Sequence, residues 1–417
     1  MLAIQQTFPI GRREPVGKMF RHGTERTTDP DTTLRRIEPA LTHFGITRVA
    51  NVTGLDSIGV PVTMVCRPNS RSVSVSQGKG LTLAAAKVSG IMEAIELWHA
   101  ERISGPLQYA SAAEMEAVGQ TVDLSRLPLR IRSRYRRDLR LLWIAGHDLV
   151  AGVTKWVPYE CVSMDSTLPQ PAGSGCFLGT SNGLASGNDI LEAVSHAVCE
   201  AIERDATALW RSGGQSETAD ELIDLASVTD PACLEILDRC RRAGVDALAW
   251  NITSDVTVPS IAALITERDA AHPIRATAMG YGCHPQPGVA LLRALTEAVQ
   301  SRLTYISGSR DDLFRGEYED NVRTRVSIER FHQLIDVPHR RNFSTIESQA
   351  TDTFDADVAK QIQLLRAVGI EEVVVVDLSH STFGMSVVRV VIPGLEGPES
   401  DPDYVKGTRA ATRVEQR

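Results

Sequence analysis

Aromatic residues make up only 5% of this 417-residue chain, its seven cysteines include no Cys-x-x-Cys pair, and no apolar run approaches the ~20 residues that cross a bilayer. Each shortage excludes something. Cys66, Cys161, Cys176, Cys199, Cys233, Cys240 and Cys283 are scattered and odd in number, which argues against a disulfide framework or a zinc knuckle and fits a reducing compartment. The N-terminus lacks a signal-peptide apolar core, so a cytoplasmic protein with no membrane contact is expected. Positive charge is in deficit, with 44 Lys and Arg against 52 Asp and Glu and a net charge of −8, which disfavours a nucleic-acid partner held by phosphate neutralisation. No Gly-x-x-x-x-Gly-Lys-Ser/Thr stretch occurs, so a P-loop is unsupported. What the chain has in plenty is core, at 42% hydrophobic residues.

Within that apolar background one acidic motif recurs. Glu93-Ala94-Ile95-Glu96 returns as Glu200-Ala201-Ile202-Glu203, and a weaker relative reads Glu297-Ala298-Val299-Gln300. Glycine-rich turns precede the first two, at Gly78-Lys79-Gly80 and Gly183 to Gly187, and the third follows Gly288. This implies a duplicated unit. Ser89, Glu93 and Glu96 fall within a helical stripe roughly 60° wide, and Glu192, His196, Glu200 and Glu203 within one about 80° wide. The second helix is otherwise largely apolar, so its acids face a protein interior, where like charges repel and unpaired ions are costly. Something cationic must neutralise them. Divalent-metal ligation meets that need, and hard carboxylate oxygens suit Mg²⁺, which completes its shell on phosphate oxygens. A nucleotide is therefore expected.

The coarse pattern is α/β. Asp29-Pro30-Asp31 predicts a cap for a helix running through Leu34, Ile37 and Leu41 toward His43 and ended by Gly45. Strands are expected at 47–51, 61–67 and 72–76, then a helix over 83–103. A mixed region with a strand at 141–145 leads to a second helix over 190–211. A helix near 233–243, strands at 246–251 and 260–266, and a third acidic-unit helix over 289–307 follow. The charged stretch 308–352 reads as a lid, insertion or linker. A helix at 358–367 and strands at 373–377 and 386–392 close one large α/β domain of repeated units, spanning 18–395, between a flexible segment 1–17 and a polar tail 396–417.

Ser76-Gln77-Gly78-Lys79-Gly80 leading to Ser89 and Glu93-Ala-Ile-Glu96, and Asn182 to Asn188 leading to Glu200-Ala-Ile-Glu203-Arg204-Asp205, resemble the YcaO superfamily over about Lys18 to Leu395. Arg21 to Arg26, Gly45 to Arg48, Thr53 to Pro61, Glu297 to Arg302 and Gly308 to Asp312 extend the similarity, which is strongest to the branch that works with a TfuA-type partner. The resemblance implies a non-Walker ATP site and an enzyme that activates a backbone amide of a ribosomally made peptide or protein. A nucleophile adds to the carbonyl, the oxyanion takes the γ-phosphoryl group of ATP, and phosphate leaves with the former carbonyl oxygen. An internal cysteine or serine gives an azoline. External sulfide gives a thioamide, the outcome this branch favours. By position, the resemblance assigns Arg26, Lys79, Ser89, Asn188, Arg204, Gln300 and Arg302 to ATP, and Glu93, Glu96, Glu192, Glu200 and Glu203 to Mg²⁺. Gln300 and Arg302 lie about 200° apart on a helix, whereas Arg293, Glu297 and Gln300 share a face, with Arg293 and Glu297 expected as an internal ion pair. The proline-rich carboxyl end of many cyclodehydratases is missing, and no general base is assigned.

Two other classes compete. Glu96-Leu97-Trp98-His99 has the Glu-x-x-His spacing of di-metal carboxylate oxidases, but the matching position of the second unit is Ala206. A nucleotide-binding scaffold without chemistry, distinguished by ATP turnover, is the other. Expected partners are the precursor peptide, a TfuA-like protein and possible self-association as a homodimer.

Overall fold

The computed structural model describes residues 14–212, 221–267, 277–310, 329, 331, 333–335, 337 and 340–415. Asp29 accepts a hydrogen bond from the Thr32 amide and Pro30 supplies a helical φ, so α1 (Pro30–Ile37) starts at the predicted cap. It ends before His43, because Pro39 has no amide hydrogen to continue the helical ladder and only a 3₁₀ turn at Glu38–Ala40 follows. Next, β1 (Arg48–Asn51), β2 (Val62–Cys66) and β3 (Val75–Lys79) form an antiparallel sheet, against which α2 (Leu83–Glu101) packs. Gly78 and Lys79 thus end a strand rather than form a turn. Glycine is required at 78 by packing, since a Cβ would meet the Ala86 carbonyl oxygen at 2.0 Å and the Gly90 nitrogen at 2.2 Å.

Then come β4 (Leu107–Ser111), α3 (Ala112–Val118), β5 (Arg140–Asp148), β6 (Val153–Pro158), β7 (Leu184–Gly187) and α4 (Ile190–Ser212). The short β8 (Ile223–Asp224) precedes α5 (Pro231–Arg242), followed by β9 (Val245–Asn251), β10 (Ser260–Glu267), β11 (Thr277–Cys283) and α6 (Pro287–Ser307). β12 (Arg341–Asn342) pairs in parallel with β8, and α7 (Phe354–Ala367), β13 (Val374–Asp377), β14 (Ser386–Val391) and α8 (Thr408–Glu415) complete the chain. β9, β10 and β11 form an antiparallel sheet covered by α6, repeating the first unit's plan. In the second unit β7 is instead the edge of a sheet ordered β4-β5-β13-β14-β7, with β6 also on β5, and α4 packs on β7 and β14.

Each acidic helix lies directly on strand backbone. A Cβ at Gly187 would meet the Ala193 nitrogen at 2.7 Å, and one at Gly280 the Ala298 nitrogen at 2.2 Å. Separate apolar clusters hold the units: Ile91 and Ile95 of α2 with Val65, Val194 and Val198 of α4 with Val388, and Leu291 and Leu295 of α6 with Ile261.

The stretch beyond Glu396 folds back onto the body instead of trailing as a polar tail. Glu396 accepts from Tyr404 Oη at 2.6 Å and from the amides of Gly407 and Ala410 at 2.8 Å, and Arg409 grips buried Asp205 of α4 at 2.9 Å. Most of the expected lid or linker at 308–352 lies outside the described residues. Among the described residues no helix is long and apolar enough to cross a membrane.

Candidate functional site

The three repeated helices aim equivalent glutamates at common ground. In the first and third units even the hydrogen bonds correspond: the Gln77 amide donates to Glu93 at 3.4 Å and the Tyr281 amide to Glu297 at 3.3 Å, each spanning 16 residues. Glu96 crosses to the second unit, accepting from the Ser186 amide at 2.8 Å and the Ser186 hydroxyl at 2.5 Å. Each link follows from the helix lying on a strand end.

The electrostatics tie these side chains into one site. Burial, then the neighbouring charges of Glu93 and Glu200, push Glu96 up to about 8 against its bond from Ser186. Burial also raises Glu200 to about 7, with Arg204 opposing and Glu203 and Glu297 adding to the rise. Glu93 and Glu203 are raised by burial too, partly offset by Arg310 and Lys79 at Glu93 and by Arg204 at Glu203. Glu297 goes the other way: burial raises it, but Lys79 and Arg204 together hold it below the ordinary range. Arg204 meets Glu203 at 3.3 Å, and although burial opposes its charge, Glu203, Glu200 and Glu297 hold it firmly protonated.

Such a surplus of mutually repelling, sequestered carboxylates fits a divalent cation. Among the described residues no group of three or more His, Cys, Asp or Glu side chains is arranged to hold a metal ion on its own.

Around the carboxylates stand cations. Lys79 Nζ lies 3.1 Å from Glu297 and 2.8 Å from Gln300 Oε1, while Gln300 Nε2 donates to the Gln77 carbonyl at 2.9 Å. Ser89, half-buried, sits one turn before Glu93 on α2. Arg26 reaches Glu192 at 3.4 Å, and Thr27 donates to it through both its amide and hydroxyl at 2.8 Å. Asn188 Nδ2 adds a bond to Glu192 at 3.2 Å, and Asn188 Oδ1 accepts from Thr33 at 3.0 Å and from Arg36.

Three expectations change. Glu192 is a saturated anchor for the 26–27 segment, since both its oxygens are taken by these donors, which sets it apart from Glu93, Glu96, Glu200 and Glu203. Arg302 lies on the far side of α6, bound to Asp56 at 3.0 Å and to Glu267, which removes it from the nucleotide set. The 200° separation on the helix is the reason. Arg293 does not pair with Glu297 but donates to the Cys283 carbonyl at 3.0 Å. The di-metal alternative also loses its histidine: His99 Nδ1 bonds the Ile95 carbonyl at 2.8 Å inside the helix, with its ring against Phe44 and Trp98.

Sequence reasoning undervalued Glu297, although the repeat aligns it with Glu93 and Glu200. Ser186 and Arg310 carried no local acid-base signal of their own. His196, on the acidic face of α4, is driven well below its usual range by burial, then by Arg293 and Arg26.

Residues 77–396 match the family of YcaO cyclodehydratases, described as ATP- and Mg²⁺-binding. A protein of Rhizobium leguminosarum bv. trifolii, named only as lying in the tfuA 3′ region, is 36% identical over 94% of this chain and 93% of its own length. An uncharacterised protein of Methanothermobacter thermautotrophicus is 32% identical over 90% of this chain and 96% of its own. Among solved structures, YcaO from Methanopyrus kandleri bound with AMPPCP and Mg²⁺ superposes with a TM-score of 0.71 at 21% identity, covering 91% of this chain and 95% of that one. A heterocyclase in complex with substrate and cofactor gives 0.72 at 20% identity over 93% of this chain, which spans 54% of the heterocyclase. The chain belongs to the YcaO family of ATP-using, Mg²⁺-binding enzymes.

Proposed function

We propose that this protein activates a backbone amide of a ribosomally made peptide or protein by phosphorylating the amide oxygen and, with a TfuA-like partner, replaces that oxygen by sulfur. The observation that carries the amide-activating reading is the convergence of Glu93, Glu96, Glu200 and Glu203 from two helices, with Arg204 and Lys79 between them and Glu297. The relative in the tfuA 3′ region, similar along nearly the whole chain, supports sulfur.

In this reading Glu93, Glu96, Glu200 and Glu203 hold Mg²⁺, and Arg26, Lys79, Ser89, Asn188, Arg204 and Gln300 line the nucleotide. Mg²⁺, when bound, screens the triphosphate and draws its oxygens toward the acids. Amide oxygen is a poor leaving group, and phosphorylation turns it into a good one. Arg204, kept charged by its glutamates, and Lys79, paired with Glu297, offset negative charge spreading over the transferred phosphoryl group. Azoline formation is the second reading, favoured by the cyclodehydratase description of the family.

Co-expression with a neighbouring precursor peptide and the TfuA-like protein, followed by mass spectrometry, tests both. The expected product gains the mass of an oxygen-to-sulfur exchange, with phosphate released from ATP. Loss of one water in its place overturns the sulfur reading. Absence of phosphate release with either partner overturns both.

A further inference from the structure

Residues 16–27 run as a strap that touches all three repeated units. At its start the Val16 amide donates to Asp355 at 2.6 Å and the Val16 carbonyl accepts from the Phe354 amide at 2.9 Å, which ties it to the first turn of α7. At its end Arg26 and Thr27 bind Glu192 of α4. Between these ties Phe20 and Arg26 exchange both backbone hydrogen bonds at 2.9 Å, folding 20–26 into a hairpin. Its tip reaches the other two units. A Cβ at Gly23, where φ is 70°, would stand 2.5 Å from Leu81, which follows Gly80, and 2.9 Å from Leu292, the neighbour of Arg293 on α6.

At the root of the hairpin the usual order of burial is inverted: the Lys18 side chain is sealed from solvent, while Met19 beside it is 82% exposed. Lys18 Nζ stands 2.5 Å from Glu25, the residue before Arg26, and 2.6 Å from buried Asp357 of α7. Asp357 is held in turn by the Thr351 amide at 2.9 Å and the Thr351 hydroxyl at 2.8 Å. His284 lies 3.8 Å from Glu25, but burial drives it well below its usual range, so it brings no charge. Among the described residues Lys18 is therefore the one cation paired with either acid. Such a trio cannot slide, because any shift leaves a buried charge without its partner.

We propose that Lys18 is a positioning residue for the nucleotide: by binding Glu25 and Asp357 together it fixes the hairpin whose last residue is Arg26. This rests on the placing of Arg26 among the nucleotide-lining residues in the reading above. Glu192 holds the chain at Thr27 from one side and Lys18 holds it at Glu25 from the other, so the Arg26 backbone lies between two fixed points. Its guanidinium, 3.4 Å from Glu192 and partly exposed, is able to turn toward an anion without the chain moving.

A double-mutant cycle on nucleotide affinity tests this, read by calorimetry on the full chain with a non-hydrolysable ATP analogue and Mg²⁺. Arg26→Gln and Lys18→Met are each expected to weaken binding about tenfold, and Lys18→Met made in Arg26→Gln to add less than about twofold, because Lys18 acts through Arg26. A lysine that only stabilises the fold weakens binding by the same factor with or without Arg26. That result, or no weakening by Lys18→Met, overturns the positioning role while leaving Arg26 in the site. No weakening by Arg26→Gln overturns the placing of Arg26, and the role of Lys18 with it. Should Lys18→Met not fold, hydrogen exchange of the unmodified protein decides. Binding of the analogue is expected to slow exchange about tenfold at the Phe20 amide and, through Lys18, at the Phe354 amide bonded to Val16. Slowing confined to Arg26 and Thr27, or none, overturns the proposal.

Discussion

Glu96 and Glu200 hold their protons to about 8 and about 7, chiefly through burial, so much of the site's acidity is suppressed near neutrality. A carboxyl whose folded pKa is raised binds more protons folded than unfolded. Its stabilising contribution is full below the ordinary value of 4.5 and fades as pH climbs through the raised one. The nucleotide-free protein is therefore expected to lose thermal stability as pH rises from about 4.5 to about 8. Glu96→Gln, which cannot ionise, should blunt that loss and raise the midpoint at the alkaline end by about 2 °C or more. Mg²⁺ ligation requires the carboxylates bare, so binding of Mg²⁺ and nucleotide should release protons near neutrality and tighten as pH rises. Calorimetry in two buffers of different ionisation enthalpy reads this directly; equal heats in both mean the acids do not change protonation. A second contrast separates site from scaffold on α6. Arg302→Gln breaks a buried pair with Asp56 and Glu267, so it should cost about 3–5 kcal/mol of folding stability in urea melts and leave nucleotide affinity intact. Lys79→Gln, at a half-buried pair with Glu297, should cost little stability and weaken nucleotide binding.

A helix laid on strand backbone tolerates no side chain between them. At Gly78 an added methyl would sit 2.0 Å from a helix carbonyl, whereas at Gly45, with φ of 70°, nothing lies within 4 Å. Gly78→Ala should therefore cost about 3 kcal/mol or more and displace Glu93 from the cleft, and Gly45→Ala about 1–2 kcal/mol from backbone strain alone, both read from urea unfolding. If the two lose the same stability, the close packing of α2 on β3 is not what fixes the site. The same glycines show why some elements were legible in sequence and others not. α2, α4 and α6 announce themselves through long apolar stretches with acids at helical spacing, a signal each helix carries internally. Gly78-Lys79-Gly80 reads locally as a turn, because glycine is the usual mark of one, but the need for glycine at 78 comes from α2 overhead. β7, with Ala185, Ser186 and Gly187, is poor in strand formers and was not predicted; pairing with β14, some 200 residues away, makes it a strand. Within the site, equivalent positions in a repeat were a better guide than local charge pairing, which steered Glu297 toward Arg293 instead of Lys79.

At the scale of the whole molecule, long-range ion pairs decide what composition cannot. The stretch from 396 onward looks like a tail because it carries no apolar period, yet its polar groups satisfy buried acids elsewhere in the chain. Arg409 reaches Asp205 across 204 residues of sequence, and Asp205 has no solvent exposure. Even with Arg409 beside it, burial holds the Asp205 carboxyl above its ordinary value. Removing the guanidinium with Arg409→Leu leaves that carboxylate buried and unpaired, an expected loss of about 3–5 kcal/mol at neutral pH. Arg136→Leu, which breaks an exposed pair with Asp138, should change stability by no more than about 0.5 kcal/mol. Without Arg409 the Asp205 pKa must rise further, because the favourable neighbour is gone while the burial stays. The group can then escape its penalty by taking a proton, so the destabilisation should shrink as pH falls toward about 5. Because Asp205 follows Arg204 on α4, the loosened helix end should also weaken nucleotide binding at pH 7 and less so in acid. A loss in Arg409→Leu that is constant with pH would mean that α8 is held by packing and not by this pair.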